Sequence, residues 1–268
     1  MKTLEFRSLD EFLVAASANT NKSKAARQPG APPWCGGVTF EQAVHLARVG
    51  WPDGAAKVAS LAAEVGDAAG GLVERSTASI SYGVSGLWVD VGRLVTGEPE
   101  CCAAYDTTES VCVQKVVVNV SANAGVDPDS LLSAGAAVLA AVDACESVGR
   151  RCELWIGSGS VRFGDKATLQ VLVPVKAADQ HVDVDRLAFL LCHASTLRRL
   201  MFSVEEDAGF PPGNCKTHPL DVPDAVVTPE VSRDSSIKAR QETVAEICRV
   251  LGVDGLAEAA TLTQNWSE

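Results

Sequence analysis

No stretch of this chain approaches the roughly eighteen consecutive apolar residues of a membrane-spanning helix, so no span is expected. Nor does the N-terminal MKTLEFRSLDEFLVAAS read as an export signal, because Glu5, Arg7, Asp10 and Glu11 break up its apolar stretch. Basic residues are in deficit, 23 against 34 acidic ones, for a net charge of −11. That balance argues against a nucleic-acid partner, since neutralising phosphates takes a concentrated basic surface. The dense basic spots, Arg150-Arg151 and Arg198-Arg199, read as caps or flanks of elements. CxxC spacing is missing although there are nine cysteines, an odd number, and the reading is reduced thiols in a cytoplasmic setting. The vicinal pair Cys101-Cys102 has neither a second pair nor nearby histidines, and is expected to be structural. Motifs of phosphate, zinc, acyl-transfer and dinucleotide chemistry are absent: no GxxxxGK[ST], HExxH or GxSxG, and no GxGxxG between a strand and a helix.

What is present centres on 115–157, KVVVNVSANAGVDPDSLLSAGAAVLAAVDACESVGRRCELWIG. The β-branched 115–120 is too short for a buried helix, while 127–147 carries Leu131, Leu132, Ala136, Leu139, Val142 and Cys145 at roughly helical spacing, and 152–156 is extended again. A strand, a crossover helix and a second strand make a βαβ unit. Such units build parallel sheets covered on both faces, with ligands bound beyond the carboxyl ends of the strands. The first such end here carries Asn119, Ser121 and Asn123, with Asp127 opening the helix.

Around this unit, a short strand and a helix are expected within 1–16, and the Pro- and Gly-rich 19–33 reads as a linker. A helix capped by Thr39 should run over 40–49 to Gly50, followed by another after Pro52-Asp53, with Trp34 and Trp51 as anchors or a recognition surface at the ends of the first. Further on, 76–86 reads as an edge strand or loop, 87–96 as a short helix and 97–106 as a turn. Residues 157–164 read as a flexible connection, with Gly157-Ser158-Gly159-Ser160 the nearest thing to a phosphate cradle, though it opens no helix and lacks the lysine. Then come an antiparallel edge strand over 166–175, a helix over 183–195, a segment 197–204 leading into a strand closed by Glu205, Glu206 and Asp207, a short strand at 225–228 and a helix over 236–251. His45 and His193 read as packing histidines; His218 with Cys215 is a candidate nucleophile pair.

The order of elements over 115–251 resembles a von Willebrand factor A-like domain, whose first strand ends in a DxSxS metal-binding loop. Here those positions read Asn119, Ser121 and Asn123, and Glu205 or Glu206 stands where that fold has a second aspartate. The resemblance implies Mg²⁺ or Mn²⁺ held by Ser121, Thr168 and Glu205, with the two asparagines weakening the site because an amide brings no charge to a hard cation. The whole chain also resembles a bacteriophage and prophage protein family through Trp34, Gly36, Phe40, Ala43, Gly50, Trp51, Pro52 and Gly54, through 117–122 and through 197–203.

Together these readings give a three-layer Rossmann-like, von Willebrand factor A-like sheet with an N-terminal helical extension: a docking segment 1–18, a linker 19–33, a helical extension 34–110 and the α/β domain 111–268. The expected function is non-catalytic binding or assembly through protein contacts at Asn119, Ser121, Asn123, Asp127, Trp34 and Trp51, without a cofactor. The alternatives are a magnesium-dependent enzyme or adaptor and a virion component.

Overall fold

Alternating valines set the centre of the fold. In the computed structural model, which describes residues 1–18, 25–69, 80–86, 88–105, 113–123, 125–147, 150–231, 242, 245–247 and 249–250, the chain forms β1 (Lys2–Glu5), α1 (Leu9–Ala18), α2 (Phe40–Val49), α3 (Pro52–Ala69), β2 (Ile80–Gly83), β3 (Trp88–Val89), α4 (Val91–Val95) and β4 (Cys102–Tyr105). It continues with β5 (Val113–Asn119), α5 (Pro128–Ser147), β6 (Arg151–Arg162), β7 (Thr168–Lys176) and α6 (Val184–Cys192). A π-helical turn, Thr196–Met201, runs into α7 (Phe202–Asp207), and β8 (Cys215–Thr217) and β9 (Val226–Val227) follow.

The main sheet has the order β1-β7-β6-β5-β9, with β8 added to β6. β5 is parallel to both β6 and β9, and β1 is parallel to β7; β6 is antiparallel to β7 and β8. The strand–helix–strand unit therefore stands where its valines place it. Val116 and Val118 face one side with Leu154, Ile156, Leu169, Val171 and Val173, and against them pack Phe12, Ala43, Val58, Leu139, Leu190 and Leu200 from the helices. Period-2 alternation sends Val117, Trp155 and Leu172 to the other side, where Leu220, Val222, Ala225 and Val227 cover them. Helices were expected on both faces. Among the described residues they crowd onto one, and extended chain covers the other.

Small residues let these helices approach closely. A Cβ on Gly135 of α5 would sit 2.4 Å from Cys192 Sγ and 2.7 Å from the Leu191 carbonyl oxygen of α6. The N-terminal elements share the same core: Leu9, Phe12 and Leu13 of α1 and Phe40, Ala43 and Ala47 of α2 are all buried in it. As the sequence indicates, α2 opens on a capping box, with Gln42 N–H donating to Thr39 Oγ1 at 3.2 Å and Thr39 N–H donating to Gln42 Oε1 at 2.8 Å.

Several expectations are corrected. Residues 157–162 are not a connection but the second half of β6, paired with both β7 and β8. β7 is antiparallel as expected but lies inside the sheet, because β1 pairs along its free side. Residues 197–204 do not lead into a strand: Leu197, Leu200, Met201 and Val204 are buried at helical spacing along the π-helical turn and α7. The expected turn at 97–106 contains β4, which pairs with β2 and β3 in a separate three-stranded sheet. The helix expected over 87–96 shrinks to α4, capped by Asp90, whose Oδ1 accepts from Arg93 N–H at 3.2 Å. Residues 76–79 and much of 236–251 lie outside the described residues; 245–247 are helical, and Ala245 and Ile247 are buried. Among the described residues no single helix is long and apolar enough to cross a membrane.

Candidate binding cleft

β5 stops at Asn119, whereas β6 continues past their last paired residues, Asn119 and Gly157, to Arg162. Beyond the shorter strand lies a cavity of about 370 Å³, within the range of small-molecule sites. Its lining includes Trp34, Ser121, Asn123, Ser158, Ser160, Phe163, Arg198, Phe202, Glu205 and Lys216.

The floor is a chain of hydroxyls ending on a carboxyl group. Gly159 N–H donates to Ser121 Oγ at 2.8 Å, and Ser121 Oγ lies 3.4 Å from Ser158 Oγ. Ser158 donates to Glu205 Oε1 at 2.6 Å and Ser160 to Glu205 Oε2 at 2.9 Å. The two serines share a face because they stand two positions apart on one strand. The glycine between them faces the other way, where a Cβ would come within 2.1 Å of the His218 carbonyl oxygen. Glu205 is 1% exposed, and burial pushes its carboxyl up from 4.5 to about 7; the two serines pull it down and Glu206 adds to the rise.

Consecutive arginines of the π-helical turn, both buried, stand behind one wall, and of the two Arg198 lines the cavity. Arg198 donates to the Trp34 carbonyl oxygen and, at 2.7 Å, to that of Val126. Burial lowers its pKa, while Cys35 and Asp127 act the other way. Arg199 donates to the carbonyl oxygens of Ala26 at 3.0 Å, Gln28 at 2.8 Å, Gly30 at 2.8 Å and Val38 at 3.2 Å. Glu206 accepts from the backbone N–H groups of Ala25 at 2.8 Å and Ala26 at 3.4 Å. Residues 25–38, most of them read from composition as linker, are thus pinned as a strap carrying Trp34; 19–24 lie outside the described residues.

Of the residues singled out from sequence, Trp34, Ser121, Asn123 and Glu205 line this cavity. Asn119 does not. Its Oδ1 accepts from Ser121 N–H at 3.0 Å and its N–H donates to Thr228 Oγ1 at 2.9 Å, so it turns the chain, and it lines a separate water-sized cavity of about 20 Å³ with His193 and Thr228. Asn123 donates to Glu230 Oε1 at 3.1 Å. Asp127 begins α5, its Oδ1 accepting from Asp129 N–H at 3.1 Å. Thr168 pairs with Val161 at the start of β7, outside the cleft lining, so it does not join Ser121 and Glu205. Glu205 and Glu206 sit on α7, not on a turn after a strand. Among the described residues no group of three or more His, Cys, Asp or Glu side chains comes together to hold a metal ion.

Trp51 lies edge-on to His193, ring centroids 4.7 Å apart, and Phe189 stacks on that imidazole at 5.0 Å. Burial lowers the pKa of His193 to about 4, and its Nδ1 is 2.6 Å from Ser195 Oγ. Cys215 lines the cleft with its thiol pushed up, first by burial and then by Glu205. The backbone N–H of His218 donates to the Gly159 carbonyl oxygen at 2.9 Å, and His218 is outside the cleft lining that holds Cys215.

Sequence reasoning missed Ser158, Ser160 and Arg198 as cleft residues. Serine–glycine alternation was a strand signal for the first two, and the i, i+3, i+4, i+7 spacing of Leu197, Leu200, Met201 and Val204 was a helix signal for the third.

No curated protein and no solved structure matches the chain. A family model does, over residues 2–255, nearly the whole length: the chain belongs to the family described as a domain of unknown function, DUF7192.

Proposed function

We propose that this protein is a non-catalytic binding protein whose working site is the cleft beyond β5. The observation that carries this is a 370 Å³ cavity with a buried carboxyl group on its floor and aromatic side chains in its lining. Both Glu205 oxygens accept from serines and Arg198 is braced by two carbonyl oxygens, so these groups are preorganised to hold a ligand. Small amine, carboxylate and aromatic fragments titrated into the protein should change its tryptophan fluorescence, and Trp34→Phe should remove most of the change. Covalent labelling of Ser158 by a serine-reactive fluorophosphonate would overturn the non-catalytic part.

A second reading, assembly with a protein partner, is favoured by apolar side chains just after β2 and on α4: Val84 is 79% exposed, Val91 67% and Val95 80%. A partner that co-purifies in stoichiometric amount and is lost from Val91→Glu/Val95→Glu is its expected signature. Kinship with von Willebrand factor A-like domains draws support from the β5-loop-α5-β6 order, and seven cysteines outside any disulfide among the described residues support a cytoplasmic setting. A phage origin, and with it a place in the virion, would show as the protein's presence in purified particles. Magnesium is the metal that the resemblance suggests; a calorimetric titration with millimolar Mg²⁺ that gives saturable heat would favour the metal-dependent alternative.

A further inference from the structure

Two buried groups of opposite charge line this cleft without neutralising each other. Arg198 is 2% exposed and Glu205 1%, yet no ion pair joins them, and among the described residues no cation pairs with Glu205. A buried carboxylate with no cation costs several kcal/mol, so it must either hold a proton or receive a positive group from outside. Ser158 and Ser160 each direct a hydroxyl hydrogen at Glu205; Ser158 Oγ accepts from Ser121 Oγ at 3.4 Å, which leaves one of its lone pairs, and those of Ser160, for another donor. Three oxygen acceptors around one point suit an ammonium group, which has three N–H donors and no acceptor.

At the other end, Arg198 commits N–H groups to the carbonyl oxygens of Trp34 and Val126, out of the five a guanidinium possesses. Those that remain suit an acidic group. Arg198 and Glu205 stand seven positions apart on one helical run, which separates their backbones by about 10 Å. Trp34, Phe163, Phe202 and Leu197 contribute apolar surface to the lining. The ligand these features describe has two charged ends and a methylene spacer between them.

We infer that the cleft takes a small zwitterion, with a primary ammonium seated on Glu205, Ser158 and Ser160, a carboxylate directed at Arg198, and the intervening carbons against the aromatic lining. This rests on the cleft being a binding site, as proposed above.

The test is calorimetric titration of the full chain at neutral pH with 6-aminohexanoate, n-hexylamine and hexanoate, which share a spacer and differ in their ends. The zwitterion should bind at least tenfold more tightly than either singly charged probe. Glu205→Gln should reduce the zwitterion to the level of hexanoate. Equal affinity for all three, or a hexanoate preference that Glu205→Gln does not alter, would overturn the inference. Because the wild-type comparison alone discriminates, the test does not depend on the variant folding. If none of the three binds while other fragments still change Trp34 fluorescence, the zwitterion falls and the cleft stands; if no fragment changes it, both fall.

Discussion

The two ends of the β5–β6 pair bury charge in opposite ways. At the amino end, Lys176 Nζ donates to Glu146 Oε1 at 2.6 Å, to the Cys152 carbonyl oxygen at 2.9 Å and to that of Ala177 at 3.3 Å, a cation with a carboxylate and two carbonyls around it. At the carboxyl end, Glu205 has hydroxyls and no cation among the described residues. The first arrangement is complete within the chain, tying the end of α5 to β6 and β7. The second lacks its counter-charge. Where a fold compensates a buried charge internally, the charge fixes structure; where it does not, the group is available to something that arrives.

Breaking the completed end should have the largest effect. Lys176→Met leaves Glu146 without its cation and should destabilise the chain by about 3–5 kcal/mol in urea denaturation. Adding Glu146→Met to that variant should recover a large part of the loss, because an apolar pair of similar shape needs no compensation. A Lys176→Met protein as stable as the parent would show that this end is not held by charge.

Removing the uncompensated charge should act in the other direction. With its carboxyl pushed up from 4.5 to about 7, Glu205 holds a proton in the folded chain that the unfolded chain has already released. Stability therefore falls as pH rises through this window, and the fall ends once the folded group has ionised too. Its full extent is roughly 3 kcal/mol, from about 1.4 kcal/mol per pKa unit. Glu205→Gln abolishes this dependence, so the variant should gain on the parent between pH 5 and 8, measured as the difference between their urea midpoints. A difference that stays constant over that range would refute the assignment. His193 has the opposite sign: its pKa is lowered to about 4, so it costs stability as pH falls below about 6.5. The two windows overlap, so between about pH 4.5 and 6.5 the two dependences oppose each other in the parent, and the difference between Glu205→Gln and the parent isolates the Glu205 part.

How much of this contrast could be read from sequence follows from what each end depends on. The valines of β5, the apolar spacing of α5 and the polar residues after Asn119 are local patterns, and they located the strand, the helix and the rim of the cleft. Ser121 and Asn123 were found that way. Ser158 and Ser160 were hidden because glycine between serines looks like a loop until a second segment, here 217–220, is known to pass over the glycine face. Glu205 was singled out for a position in a resembling fold, yet it stands on a helix, and its burial depends on β6 lying 45–47 residues earlier. Arg198 and Arg199 read as caps or flanks of elements because the carbonyl oxygens that surround them are distant in sequence, those of the strap more than 160 positions away and that of Val126 72. Lys176 and Glu146 were not legible for the same reason: pairing between distant residues leaves no periodic trace.

The smallest expected effect is also the most discriminating between the two ends. Ser160→Ala removes one donor from Glu205 Oε2. A hydrogen bond to a neutral group contributes about 1 kcal/mol and one to a charged group about 2. The substitution should therefore cost about 1 kcal/mol at pH 5.5, where Glu205 is protonated, and about 2 kcal/mol at pH 8.5, where it is ionised. Losing a donor that favours the ionised form must also raise the carboxyl's pKa further. In a Glu205→Gln background the cost of Ser160→Ala should no longer depend on pH, because the amide does not titrate. A double-mutant cycle at the two pH values measures this directly. Coupling that grows with pH would locate the titrating charge at the serine pair. Coupling that is the same at both would mean the hydroxyls hold the carboxyl in one protonation state throughout, and the carboxyl end would then be as closed a structure as the amino end.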